Sequence, residues 1–235
     1  MRIQSLPPFG NGFTQFNPQQ SVVLYDDFIG TSSGNALGWT EVNSGTGADA
    51  STSSTGADET TIGLWQVETG TTNTGRSSLI TQSGGVVIPG GSIECSMRIY
   101  IPVASNGTDQ FAVYVGMGDQ SGAGDMTDGA YFIYYTGVTP NWIISNAASS
   151  TRTATVTGTA VAIASWVNLT VKVNAEGTAI DYFVNGSNVG SITTNIPTVN
   201  QRTGLIFKIE KDIGTTSSVA SIDYFKFAKT FNATR

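Results

Sequence analysis

Histidine is absent from the 235 residues, which removes every Ser-His and Cys-His nucleophile scheme at once. There is a single cysteine, Cys95, so no disulfide can form within the chain. It stands in SIECSMRIYI on the same alternating face as Ile93, Met97, Ile99 and Ile101, the setting of a buried small hydrophobe rather than a reactive thiol. Charge is scarce as well: 12% of residues are charged, the net charge is −6, and the 11 lysines and arginines are scattered. A nucleic-acid partner needs a clustered basic face, so no nucleic acid is expected. No run approaches the roughly 18 apolar residues of a membrane span. The opening MRIQSLPPFG has no apolar h-region, so neither a membrane partner nor a secretory signal is expected.

Helical periodicity is nearly missing too; short alternating runs between turn residues take its place. The clearest is SWVNLTVKVNAEGTAIDYFVNGSNVGSI, residues 165–192. Val167, Leu169, Val171 and Val173 alternate with Trp166, Asn168, Thr170 and Lys172, the period of a strand with one buried face. Asn174, Glu176 and Gly177 make a turn, a second strand covers Thr178–Val184, and Asn185-Gly186 is the pair that favours a type I′ hairpin. Asn188–Ile192 closes the meander. Further strands are expected at 21–29, Gly63–Glu68, Ser77–Thr81, Ser92–Ile101, 110–118, 129–135, Asn141–Asn146, Thr151–Thr157, Thr203–Lys211 and Ser218–Lys229. Between the first two lies a polar stretch, Asn43 to Thr61, expected to be a long connection and therefore functional or mobile. About twelve short, regularly spaced strands argue for an all-β, two-sheet antiparallel jelly-roll sandwich over residues 21–235.

Residues 1–20 fall outside that pattern. Pro7, Pro8 and Pro18 interrupt a segment rich in Gly, Gln and Asn, so an extended N-terminal arm is expected. Phe9, Phe13 and Phe16 are unusual for a solvated tail. They fit an arm docked on a neighbouring subunit, or rings packed back on their own domain.

Two groups of residues carry candidate chemistry. Asp119, Asp125 and Asp128 in DQSGAGDMTDG supply the oxygen ligands that Ca²⁺ prefers, although turn geometry alone accounts for Asp and Gly there. Tyr131, Tyr134, Tyr135, Asn141, Trp142 and Asn146 form the richest aromatic and amide group, the kind that stacks on sugar rings and bonds their hydroxyls. Their competing role is core packing, which is where Trp39, Trp65 and Trp166 are also assigned.

The motifs YDDFIG, LWQVETG, TGRSSL, GDQSGAGDMTDGAYFIYY, NWIISN, the meander and the terminal SIDYFKF resemble the concanavalin A-like lectin/glucanase superfamily. More narrowly, they are similar to lectin-like jelly rolls of tailed-bacteriophage virion proteins. The resemblance spans about residues 22–229. It implies a non-enzymatic protein on the surface of a phage particle, a capsid decoration or fibre-like protein attached through the arm. The alternative is a carbohydrate-binding receptor-recognition module of a tail protein or adhesin. The partners implied are other virion proteins, host surface glycans and further copies of the chain, with a homotrimer favoured. The glucanase branch carries a Glu-x-Asp-x-(x)-Glu strand whose carboxylates share one cleft, with nucleophile and acid about 5 Å apart. Here Glu94 is followed by Ser96 and Arg98, and Asp181 by Phe183. Glu210 and Asp212 stand two apart, but Asp212 is expected where its strand gives way to a turn. Catalysis is therefore not expected.

Overall fold

The computed structural model describes residues 20–29, 38–81 and 85–233. Phe9, Phe13 and Phe16 lie outside them. Among the described residues the chain forms fifteen strands and no helix. In order they are β1 (Ser21–Asp26), β2 (Trp39–Ser44), β3 (Asp49–Thr52), β4 (Trp65–Glu68), β5 (Arg76–Thr81), β6 (Gly91–Tyr100), β7 (Gln110–Gly118) and β8 (Gly129–Tyr135), then β9 (Thr139–Ala148), β10 (Thr151–Ala160), β11 (Trp166–Val173), β12 (Ile180–Val184), β13 (Ser187–Ile192), β14 (Gly204–Ile213) and β15 (Val219–Phe231).

They build two antiparallel sheets. The eight-stranded one runs β13-β12-β11-β6-β15-β4-β3, with β1 also paired to β15; the seven-stranded one runs β10-β9-β8-β7-β14-β5-β2. Hairpins join neighbours at the flanks, while the pairs β6–β15 and β7–β14 place the last strands of the chain inside each sheet. The inner faces close on one another as a jelly-roll sandwich.

Alternation decides which side chains face inward. In β6 every second residue is buried, and Ile93, Cys95, Met97 and Ile99 all reach the core. Burial pushes the Cys95 thiol pKa far up, which keeps it an unreactive hydrophobe. In β11–β12 the buried set is Val167, Leu169, Val171, Val173, Ile180, Tyr182 and Val184. Asn185 and Gly186 take φ of 48° and 80° between β12 and β13, the positive pair that a type I′ turn requires. β15 departs from strict alternation: Ala220 and Ile222 are buried, and so are Phe225 and Phe227. A register shift against β6 between Ile222 and Tyr224 absorbs the change of phase.

The stretch Asn43–Thr61, expected as a connection, contains the end of β2 and all of β3. Both are polar, but Trp39 and Ala50 are buried and anchor them. Their pairing with β5 and β4 supplies the order that composition does not show. Of the rest, Gly56, Asp58 and Thr60 lie on the outer face of the eight-stranded sheet, against Trp166 and Arg98. There Arg98 pairs with Asp223 at 2.7 Å and lies 4.6 Å over the Trp166 ring, and Trp166 Nε1 donates to Gly56 O.

Candidate functional site

The outer face of a sandwich sheet is ordinarily polar. That of the seven-stranded sheet is not. Ile80, Ala112, Tyr114, Tyr131, Ile133, Ile143, Ala147 and Ile206 form a second buried cluster there. Part of its cover is the loop between β7 and β8, which seats Met126 in the cluster. A Cβ at Gly118 would come within 2.7 Å of the Met126 sulfur, so glycine is what lets that side chain lie down on the strand.

Lys208 on β14 holds the loop from beneath. Its side chain is fully buried; Nζ donates to Gly122 O at 3.0 Å and to Gly124 O, and sits 4.3 Å over the Tyr114 ring. Glu210 pairs with it at 3.4 Å and accepts from Gly124 N at 2.9 Å. Burial lowers the Lys208 pKa, while the Glu210 charge pulls the other way.

Beyond the loop the cover stops and a groove of about 320 Å³ opens, lined by Tyr114, Asp125, Ile133, Tyr135, Val138, Ile143, Arg152, Ala154 and Val156. Strand register orients it: Gly118 opposes Gly129 at the loop end, and Ala112 opposes Tyr135 at the other. The loop end carries the Asp125–Arg152 ion pair. At the far end the Tyr135 hydroxyl donates to Asp212 at 2.6 Å, and this bond, ahead of burial, raises the Tyr135 pKa. Burial, with Asp125 and Glu210 nearby, raises that of Tyr114. Both rings are neutral phenols at physiological pH. The groove thus joins an aromatic and aliphatic floor to donors and acceptors at its two ends.

Of the six residues expected to meet a sugar, Tyr135 alone lines this groove. Tyr131, Trp142 and Asn146 are fully buried and Tyr134 nearly so. Trp142 packs edge-on to Phe132, and the Tyr134 hydroxyl accepts from Ser105 N. Asn146 accepts from the Tyr182 hydroxyl, and Asn141 Nδ2 donates to Thr157 O. The cause is that Tyr134 and Trp142 lie in the core between the sheets and Asn146 bonds Tyr182 of the opposite sheet, while Tyr131 belongs to the outer cluster that the loop partly covers. Continuous apolar runs such as GAYFIYY mark burial on both faces of a strand. The same signal in QFAVYVGMG could have pointed to Tyr114. Nothing in the sequence near Arg152 or Val156, on an edge strand of threonines, marks them as lining a groove.

The three aspartates do not converge. Asp119 Oδ1 accepts from Thr127 N and Asp128 N, Asp128 Oδ1 accepts from Ser149 N, and Asp125 is engaged with Arg152. Burial, ahead of the Asp128 charge, raises the Asp119 pKa. Among the described residues no group of three or more His, Cys, Asp or Glu is placed to hold a metal ion; Asp119 and Asp128 serve backbone geometry and Asp125 an ion pair.

The carboxylates considered for catalysis also separate. Glu94 lies between Lys172 at 3.0 Å and Lys226 at 3.3 Å in the eight-stranded sheet. Hydrogen bonding to Lys172 first, then Lys226, lowers its pKa. Asp181 faces Lys172 across the strands of that same sheet. Glu210 and Asp212 are both in β14, which runs to Ile213 with an irregularity after Lys211, so Asp212 belongs to the strand rather than to the turn expected there.

Comparison with known proteins agrees with this architecture. The structure of SO2946 from Shewanella oneidensis MR-1, a protein of unknown function, is 18% identical with a TM-score of 0.67, over 95% of this chain and 92% of that one. Peanut lectin is 13% identical with a TM-score of 0.57, over 92% and 100%. The endo-1,3-β-glucanase of Streptomyces sioyaensis is 12% identical with a TM-score of 0.56, over 93% and 99%. These likenesses establish a concanavalin A-like lectin fold. A search of the curated proteins found no match. The family model described as SO2946-like, C-terminal domain, matches residues 60–223, and the chain belongs to that family.

Proposed function

We propose that this protein is a non-enzymatic carbohydrate-binding module whose saccharide lies in the groove on the seven-stranded sheet. The observation that carries the reading is the pairing of Tyr114 and Tyr135 with the polar groups of Asp125, Arg152 and Asp212 around one open depression. A sugar ring has an apolar C–H face and a polar rim, and this groove offers a partner for each. The lectin-like fold is consistent with that use and does not by itself establish it. Glu210 is engaged by Lys208 and Gly124 N, and Asp212 by Tyr135. Neither is left free as a nucleophile or an acid, which supports binding without turnover.

The test is a glycan array followed by titration of the best ligand against Tyr135→Ala. Tyr135 is only partly buried, so the variant should fold. Losing one stacked ring and its hydroxyl is expected to weaken binding by about tenfold or more. Unchanged affinity would move the ligand elsewhere, and reducing ends released by the wild-type protein would make it an enzyme.

The setting we infer is the surface of a tailed-phage particle, as a capsid decoration or fibre-like protein in oligomeric form, attached through residues 1–20. This rests on the resemblance of YDDFIG, the meander and SIDYFKF alone. Replacing Phe9, Phe13 and Phe16 together by Ser is expected to abolish attachment to particles lacking the protein and to leave the melting temperature within a degree or two. Normal attachment, or an unfolded domain, would refute the anchoring role.

A further inference from the structure

We propose that Lys208 is a built-in cation that orders the β7–β8 loop and so shapes the groove, a task that DQSGAGDMTDG would otherwise give to a bound metal ion. An ammonium group has three N–H donors and no acceptor. Here the fully buried Nζ has Gly122 O, Gly124 O and the Glu210 carboxylate around it, with the Tyr114 ring as a fourth side. Two backbone carbonyls, one carboxylate and one aromatic face make a cation cage.

Gly124 is its centre. Glu210 accepts from the Gly124 N–H while Lys208 donates to the Gly124 carbonyl, so two β14 side chains, two residues apart, grip both polar groups of one loop residue. Gly124 has φ of +81°, a conformation that glycine adopts without strain. The next residue is Asp125, which faces Arg152 at the loop end of the groove. That ion pair is more than a third exposed on both sides and contributes little on its own; the buried cage is what fixes the loop. The same device recurs away from the groove: Lys211 Nζ donates to Gly70 O and Thr216 O, and Lys229 Nζ to Val87 O and Pro89 O. Lys208 lies too deep to touch a ligand. It is a positioning residue, and only its effect on the groove rests on the carbohydrate-binding reading.

The test is amide hydrogen exchange on the full chain, comparing the wild-type protein with Lys208→Ala, alone and with n-propylammonium, which replaces the atoms removed. Exchange at Gly124, Thr127 and Asp128 is expected to accelerate about tenfold or more in the variant, as when charged hydrogen bonds holding a segment are lost. Strands β6, β11 and β15 should keep their protection. Millimolar n-propylammonium should restore the slow exchange, and n-propanol, of equal size but uncharged, should not. EDTA should leave the wild-type loop unchanged. Unaltered loop exchange in the variant, equal rescue by the alcohol, or a wild-type loop loosened by EDTA would each overturn the proposal. Should Lys208→Ala fail to fold, Glu210→Ala removes the acceptor for the Gly124 amide from a partly exposed position. It should speed exchange at Gly124 similarly, and unchanged exchange there would overturn the proposal. The ligand found on the array supplies the second readout: its affinity should fall and recover with loop order. A wild-type protein that binds no glycan would sink the carbohydrate reading and leave the loop result standing.

Discussion

Phe132→Ala should remove about 3–5 kcal/mol of folding stability, the range for truncating a large aromatic in a packed core. Phe132 is fully buried in β8 and meets two rings edge-on: Trp142 of β9 at 5.9 Å and Tyr182 of β12 at 5.2 Å. Tyr182 comes from the opposite sheet, so Phe132 sits where the two layers lock together. Each such aromatic contact adds about 0.5–1.5 kcal/mol beyond the area it buries. Nothing nearby can collapse into the space at low cost, because Trp142 and Tyr182 are themselves fully buried, and the Tyr182 hydroxyl is tied to Ser145 O and Asn146. Domains of this kind hold about 5–15 kcal/mol in total, so the loss is a large share of the whole. Urea unfolding followed by tryptophan fluorescence would register it as a lower midpoint with an unchanged slope. Phe132→Leu, which refills most of the volume, should cost less than half as much. A loss below about 1 kcal/mol for the alanine variant would mean that the inter-sheet contact is not what joins the layers.

That residue also shows what the sequence could and could not disclose. The strand containing Phe132 is plain in GAYFIYY, as are β6 and the β11–β13 meander, because alternation or unbroken apolar character records burial directly. The polar β2 and β3 leave no such record. They are strands because β5 and β4 offer backbone partners, and one anchor each, Trp39 or Ala50, sets which face turns inward. The candidate site suffered in the same way. Local density of aromatic residues singled out Tyr131, Tyr134 and Trp142, but a strand buried on both faces collects aromatics for packing. Whether a ring is open to a ligand depends on how far the β7–β8 loop reaches across the sheet, and that reach is set by Lys208 and Glu210, some eighty residues later in the chain. Arg152 and Asp125 meet only because β10 edges the sheet beside that loop. Periodicity in one strand carries no trace of such a meeting.

Asp26→Ala should cost about 3 kcal/mol, and Asp27→Ala, one residue on, almost nothing. Both belong to YDDFIG, where the two carboxylates look equivalent. Asp26 is buried at the end of β1; its Oδ1 accepts from Phe28 N at 2.8 Å and its Oδ2 from Trp39 Nε1 at 2.9 Å. Each donor left unpaired in the interior costs about 1–3 kcal/mol. Phe28 has φ of 52°, a left-handed conformation unfavourable for a bulky side chain. The carboxylate holds it there, so the ring packs between Trp39 at 5.7 Å and Trp65 at 6.3 Å. Trp39 belongs to β2 and Trp65 to β4, in different sheets, so one aspartate fixes the corner where β1 leaves the eight-stranded sheet. Asp27 by contrast accepts from the exposed Tyr25 hydroxyl, and a surface contact of that kind is worth within about 0.5 kcal/mol. Asp26→Asn separates the contributions: one amide oxygen still accepts, while its NH₂ faces the other donor, so the loss should be comparable to that of alanine despite the matching shape. Urea midpoints for the three variants decide the matter. Equal midpoints for the Asp26 and Asp27 alanine variants would show that this corner is held by ring packing alone.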